Sequence, residues 1–164
     1  HHIIVKTNLF LAAGIIARTG RSERLERLGG LLKDQPVLAV LFLIPALSLG
    51  GIPPLSGFFA KFLILREAIR MEAWLTAGMA LAVGVITLFS MIKIWGEAFW
   101  KESPRVAGPQ PVRRAQLIPV FALAVLTVAF GLFVGPLYEW AGKAAEQLLS
   151  FPPGPSTVHM ETQP

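Results

Sequence analysis

The sequence contains no cysteine, which removes disulfides, thiolate zinc sites and cysteine-ligated iron–sulfur clusters from its chemistry. It is also poor in charge: Asp, Glu, Lys and Arg make up 15% of the 164 residues, while 54% are hydrophobic. That balance is far from a soluble domain and reads as a membrane protein. Histidines number three, His1, His2 and His159, too few and too scattered for a His-rich metal site. Glycine-rich phosphate loops, dinucleotide fingerprints and GxSxG elbows are lacking, so no cofactor and no enzymatic centre is expected. The net charge of +5 does not indicate nucleic acid, because the basic residues stand in short clusters at the ends of apolar runs, where membrane proteins place them.

Those apolar runs are what the sequence has instead. Gln35 to Ala60, Ala73 to Ile92 and Ala115 to Tyr138 are uncharged, each about as long as the roughly 20 residues that span a bilayer core as helix. Thr7 to Ala17 reaches that length only with the preceding HHIIVK. The first residue is His1 and apolar sequence begins at once, without the flanks of a secretory signal, so a piece of a longer protein is expected. The reading is an all-α, multi-pass transmembrane bundle of about five helices, over about His1–Ala17, from after Pro36 to about Gly50, and over Leu55–Met71, Ala73–Phe99 and Ala115–Trp140. Residues 1–141 form this bundle. From residue 142 onward a weakly amphipathic interfacial stretch, within AGKAAEQLLS, leads into a Pro-rich disordered tail, FPPGPSTVHMETQP. Basic clusters at Arg18 to Asp34 and at Trp100 to Arg114 fall on opposite sides of such a bundle, which leaves its orientation open.

Two full spans need roughly 40 residues, more than Pro36 to Met71 supplies, so one of the pair is short, broken or re-entrant. Gly50, Gly51, Pro53, Pro54 and Gly57 crowd its middle, and proline both removes amide donors and disrupts regular helix. Irregular backbone at membrane depth is tolerated only under a cover of protein or cavity water. The break is therefore expected to face the interior of a larger assembly.

Lys61 follows in GFFAKFLIL, about 12 Å along a helix that starts at Pro53. An ionised lysine at a helix centre costs on the order of 3 kcal/mol, and such residues face cavities and mark ion or proton paths. The plainer alternative is a lysine snorkelling to an interface. His2 and Lys6 are four residues apart, on one helix face. Histidine titrates near neutral pH, so the pair is suited to pass a proton through an intervening water; equally, both fit a helix end in water. Lys93, followed by Glu97 and Lys101 and flanked by Trp95 and Trp100, reads as a snorkelled, ion-paired lysine ahead of a translocation role. His159 falls in the tail and carries no role.

The stretches HHIIVKTNLFLAAG, LGGLLKDQP and ALSLGGIPPLSGFFAKFLIL resemble, in order and spacing, the antiporter-like membrane subunits of proton-pumping NADH:quinone dehydrogenase and of multisubunit Na+/H+ antiporters. IPPLSGFFAKFLIL and SMIKIWGEAFW look most like the D-type branch of the Mrp cation/proton antiporter subunits. The resemblance runs from His1 to Trp140. It implies inverted repeats, each with a broken helix and a buried lysine. This chain would hold the second repeat, without the glutamate–lysine pair of the first. It further implies that Lys6 is the central lysine of its helix, His2 the histidine one turn earlier, and Lys61 the lysine of the broken helix at the end of the second half-channel.

The activity so implied is exchange of H+ for Na+, or another monovalent cation, by a hetero-oligomeric complex in the cytoplasmic membrane. Its partners are the other subunits and lipid, without nucleic acid. Two alternatives stand beside it: a redox-driven proton-translocating subunit of NADH:quinone dehydrogenase or a related hydrogenase, and a structural scaffold anchored to lipid by clusters such as RTGRSERLER.

Overall fold

The computed structural model describes residues 1–102 and 111–150; the expected disordered tail and His159 lie outside them. The described residues are helical, without strand: α1 His2–Gly20, α2 Leu31–Asp34, α3 Pro36–Gly50, α4 Ser56–Arg70, α5 Trp74–Trp95, α6 Arg114–Leu132 and α7 Val134–Ser150. A short 3-10 turn, Leu25–Arg27, precedes α2, and α5 runs on into a π-turn over Gly96–Trp100. Three helical stretches are long and apolar enough to cross a membrane, namely His2–Gly20, Trp74–Trp100 and Arg114–Leu132.

In α1 the buried residues are Val5, Asn8, Ala12, Ile15, Ile16, Thr19 and Gly20, a three-and-four spacing that keeps most of them on one stripe. In α6 they are Val120, Ala124, Thr127 and Gly131, small side chains that let neighbouring backbones approach. The two stripes face each other, and α3 packs on α1, α4, α5 and α6. Leu38, Ala39, Leu41, Phe42 and Ala46 of α3 join Ala12, Ile15 and Ile16 in the core. Phe99, fully buried, closes one end of it against Phe42, with ring centroids 6.0 Å apart. On α5, by contrast, Ala77 is the one buried residue, and Leu75, Val85, Ile86 and Phe89 are exposed. An apolar surface of that kind faces lipid or protein rather than water.

Asn8 is completely buried, and with its amide oriented to satisfy both ends it donates to Val120 O and accepts from the Ala124 N–H, each at 3.2 Å. It thus grips the peptide pair that an α-helix joins directly. Asn8→Ala is expected to lower the unfolding free energy in detergent by about 1–2 kcal/mol. Asn8→Leu, which keeps the bulk and loses both bonds, should lose stability as well.

The expected helices are present, with three differences. Both α3 and α4 are short, 15 residues each, or about 22 Å at 1.5 Å per residue, where one short member was expected. Helix α4 begins at Ser56 rather than Leu55, so Lys61 stands only about 7.5 Å along it, closer to the break than its distance from Pro53 suggests. The last apolar run does not continue as one helix to Trp140: α6 stops at Leu132, where the compact unit His1–Leu132 ends. Past Leu132, helix α7 of a second unit places Leu137, Ala141, Ala144 and Leu148 on one face. Glu139, Lys143 and Glu146 fall on the opposite face.

Candidate functional site

The site is assembled around the break between α3 and α4. Helix α3 ends because Gly51 adopts φ 90°, a left-handed conformation that only glycine enters without strain. The Gly51 N–H then satisfies the last carbonyls, those of Leu47 and Ser48. Pro53 and Pro54 follow, joined by a cis peptide, and α4 opens with Ser56 and Gly57, both buried. Gly57 lies directly on α3: a Cβ there would collide with the Ser48 carbonyl oxygen. Its own N–H donates to Ser48 Oγ at 3.2 Å. On the other side of the break, the Pro54 carbonyl packs against Gly131 of α6.

Lys61 is reached one turn beyond Gly57. Its ammonium donates to the Gly50 carbonyl oxygen at 3.2 Å, one of the carbonyls that a helix end leaves exposed. Glycines make the room for it, since a Cβ at Gly51 would meet Lys61 Cδ at 3.0 Å and one at Gly84 of α5 would meet Nζ at 3.5 Å. A cavity of about 320 Å³ opens beside the amine, walled mainly by Phe58, Phe62, Leu65, Leu81, Val85 and Leu88. Among the described residues no carboxylate pairs with Lys61, and Gln35 to Leu65 and Ala73 to Gly96 contain none. A partly buried amine is thus held by one carbonyl in an apolar, glycine-lined slot with space for solvent. Such a group can take up and release a proton without breaking an ion pair.

The break residues Gly51, Pro53, Pro54 and Gly57 and the lysine Lys61 come together as one site. His2 and Lys6 share the exposed side of α1, and no hydrogen bond among the described residues links either to Lys61. Lys93 is exposed on α5, and Glu97 pairs with Lys101 at 2.9 Å, not with Lys93 as expected. Three polar residues went unnoticed in the sequence: His1 Nδ1 is 2.8 Å from Ser56 Oγ, which is 3.3 Å from Ser48 Oγ. Their one available signal was the position of the two serines, Ser48 just ahead of the Gly/Pro cluster and Ser56 within it. Gly84, which makes room for the amine, had none.

Comparison with known proteins gives four concordant matches. Residues 1–88 match the family described as NADH:quinone oxidoreductase/Mrp antiporter, TM. The chain is 44% identical over 163 residues to the D subunit of the Na(+)/H(+) antiporter of Alkalihalophilus pseudofirmus, covering 99% of this chain and 32% of that protein. It is 26% identical over 148 residues to the N subunit of the NADH-quinone oxidoreductase of Desulforamulus reducens, covering 90% of this chain and 31% of that one. Among solved structures, the Mrp complex from a Dietzia species superposes with a TM-score of 0.80 at 33% identity, over 92% of this chain and 36% of the matched chain. The chain therefore spans about a third of the length of the curated relatives it matches.

Proposed function

Because the chain belongs to the NADH:quinone oxidoreductase/Mrp antiporter transmembrane family, we propose that it forms part of the proton path of a multisubunit antiporter exchanging H+ for Na+ across the cell membrane. The observation that carries this reading is Lys61, held by the Gly50 carbonyl at 3.2 Å beside a cavity and without a carboxylate partner among the described residues. A proton arriving through cavity water charges the amine, and its departure restores the neutral form. The alternation moves one positive charge at the helix break, where a broken helix leaves carbonyl dipoles able to feel it.

His2 and Lys6 belong to the same path in this reading, on the exposed side of α1. Lys93, exposed near the end of α5, has the weakest claim to it. Other subunits cover the apolar face of α5, and α7 lies along the membrane interface with its Leu137–Leu148 face toward lipid.

The similarity to an NADH-quinone oxidoreductase subunit favours a second reading, in which electron transfer drives the same lysine. The test is a Na+ pulse to everted vesicles bearing the complete complex, with no electron donor present. Proton movement in response to Na+ supports exchange. Proton movement that requires NADH and ignores Na+ assigns the chain to the redox-driven branch.

A further inference from the structure

One hydrogen-bonded chain at the break has no part in the path just described. It runs from His1 Nδ1 to Ser56 Oγ, 2.8 Å away, on to Ser48 Oγ at 3.3 Å, and ends where the Gly57 N–H donates to Ser48 Oγ at 3.2 Å. It joins the start of α1 to both flanks of the break. Ser48 is fully buried and Ser56 is 8% exposed. Lys61 holds Gly50, two residues beyond Ser48, through a separate bond. The break is thus fastened at two places, one by His1 and the serines and one by Lys61.

Donor accounting gives the chain two arrangements, because each hydroxyl has a single proton. With a proton on Nδ1, His1 donates to Ser56, whose one proton and two lone pairs leave the Ser56–Ser48 bond free to run in either direction. With Nδ1 bare, Ser56 gives its one proton to His1, and Ser48 must then be the donor in its bond to Ser56. The Gly57 N–H bond survives in both, since there Ser48 only accepts. A charged imidazole carries protons on both nitrogens and so excludes the second arrangement, releasing the Ser48 proton that the bare ring ties to Ser56.

The surroundings leave His1 few competitors. On α1 the nearby ionisable groups are His2 and Lys6, both exposed. Helices α3 and α6, packed on α1, carry no ionisable side chain from Pro36 to Gly50 or from Ala115 to Leu132. On α4 these are Lys61, tied to Gly50, followed by Arg66, Glu67 and Arg70 farther along the helix.

We propose that His1 is a positioning residue for the proton site: its charge state, passed through Ser56 and Ser48, sets how the break is held and thereby the pH range over which Lys61 works. The proposal rests on the reading of Lys61 as the proton-carrying group, and His1 acts on Lys61 only through the break.

The test uses the complete subunit in its complex and two readouts. Ser56→Ala removes the hydroxyl without adding atoms, Ser56→Thr keeps it, and His1→Asn keeps an amide near the Nδ1 position but cannot titrate. The first readout is the titration midpoint of His1, from deuterium exchange at its ring C–H followed by mass spectrometry, which does not depend on Lys61. Ser56→Ala should move it by roughly half a pH unit or more, with Ser56→Thr close to wild type. The second is exchange rate against pH in vesicles, where Ser56→Ala should displace the profile and His1→Asn should flatten it.

An unmoved His1 midpoint in Ser56→Ala overturns the proposal. So does a moved midpoint with wild-type exchange profiles in both variants. Failure of the underlying reading is a different result, exchange that survives Lys61→Ala.

Discussion

Replacing Lys61 by alanine in the complete complex lowers Na+-dependent proton exchange about tenfold or more at matched expression, and arginine restores part of the rate. Alanine removes the only ionisable side chain between Gln35 and Leu65 and frees the Gly50 carbonyl it held. Arginine keeps a cation and a donor at that place, yet it holds its proton at all working pH. It therefore repairs the contact with Gly50 and the local charge but not the charge alternation, and recovery stays partial. Everted vesicles from antiporter-deficient cells supply the measurement. Unchanged exchange in both variants would return Lys61 to a lysine snorkelling toward the interface.

The second large effect is expected at Gly57. A methyl group there meets the Ser48 backbone carbonyl at a distance no rotamer change relieves. The first turn of α4 must then move off α3, breaking the Gly57 N–H bond to Ser48 and shifting Lys61 from Gly50. Gly57→Ala should cost on the order of 3 kcal/mol, read as a lowered thermal midpoint in detergent and a reduced yield of assembled complex. Gly78 on α5 supplies the contrast, because a Cβ there has nothing within 4 Å. Gly78→Ala should leave the protein unharmed or up to about 1 kcal/mol more stable, through helix propensity alone. Equal stability of the two variants would mean that α4 does not rest on α3 as described.

How much of this was visible beforehand depends on the kind of signal each element carries. Helix α3 was legible to within about a residue, because Pro36 at its start and Gly51 after its end are the residues a helix accepts there. The break was legible for the same reason, since glycine and proline act through their own backbone. The end of α6 was not, because FVGPLY continues the apolar run past Leu132 and hydropathy alone gives no stop. Pro136 was the overlooked sign, as proline suits the first turn of a new helix, and it stands in the first turn of α7.

Lys61 stood out because charge is costly in an apolar run. Its partner did not, because a backbone carbonyl leaves no mark on the sequence. Ser48 and Ser56 were hidden for a different reason: serine is an ordinary small residue in membrane helices. Only the fold shows that these two meet His1, far away along the chain. The pairing expected for Lys93 failed because Glu97 had two lysines at four-residue steps to choose between. The π-turn over Gly96–Trp100 accompanies the choice of Lys101.

The central claim is that an ionisable amine at position 61 is what the path requires, and chemical replacement tests it most directly. In a cysteine-free version of the complete complex, Lys61→Cys is reacted with aminoethyl methanethiosulfonate, which rebuilds a side chain ending in an amine, or with a neutral reagent of similar length. Na+-dependent proton exchange is then followed in vesicles. The cysteine variant is expected to be inactive, with recovery by the amine and none by the neutral group. Equal recovery with both reagents, or none with the amine at full labelling, would contradict it.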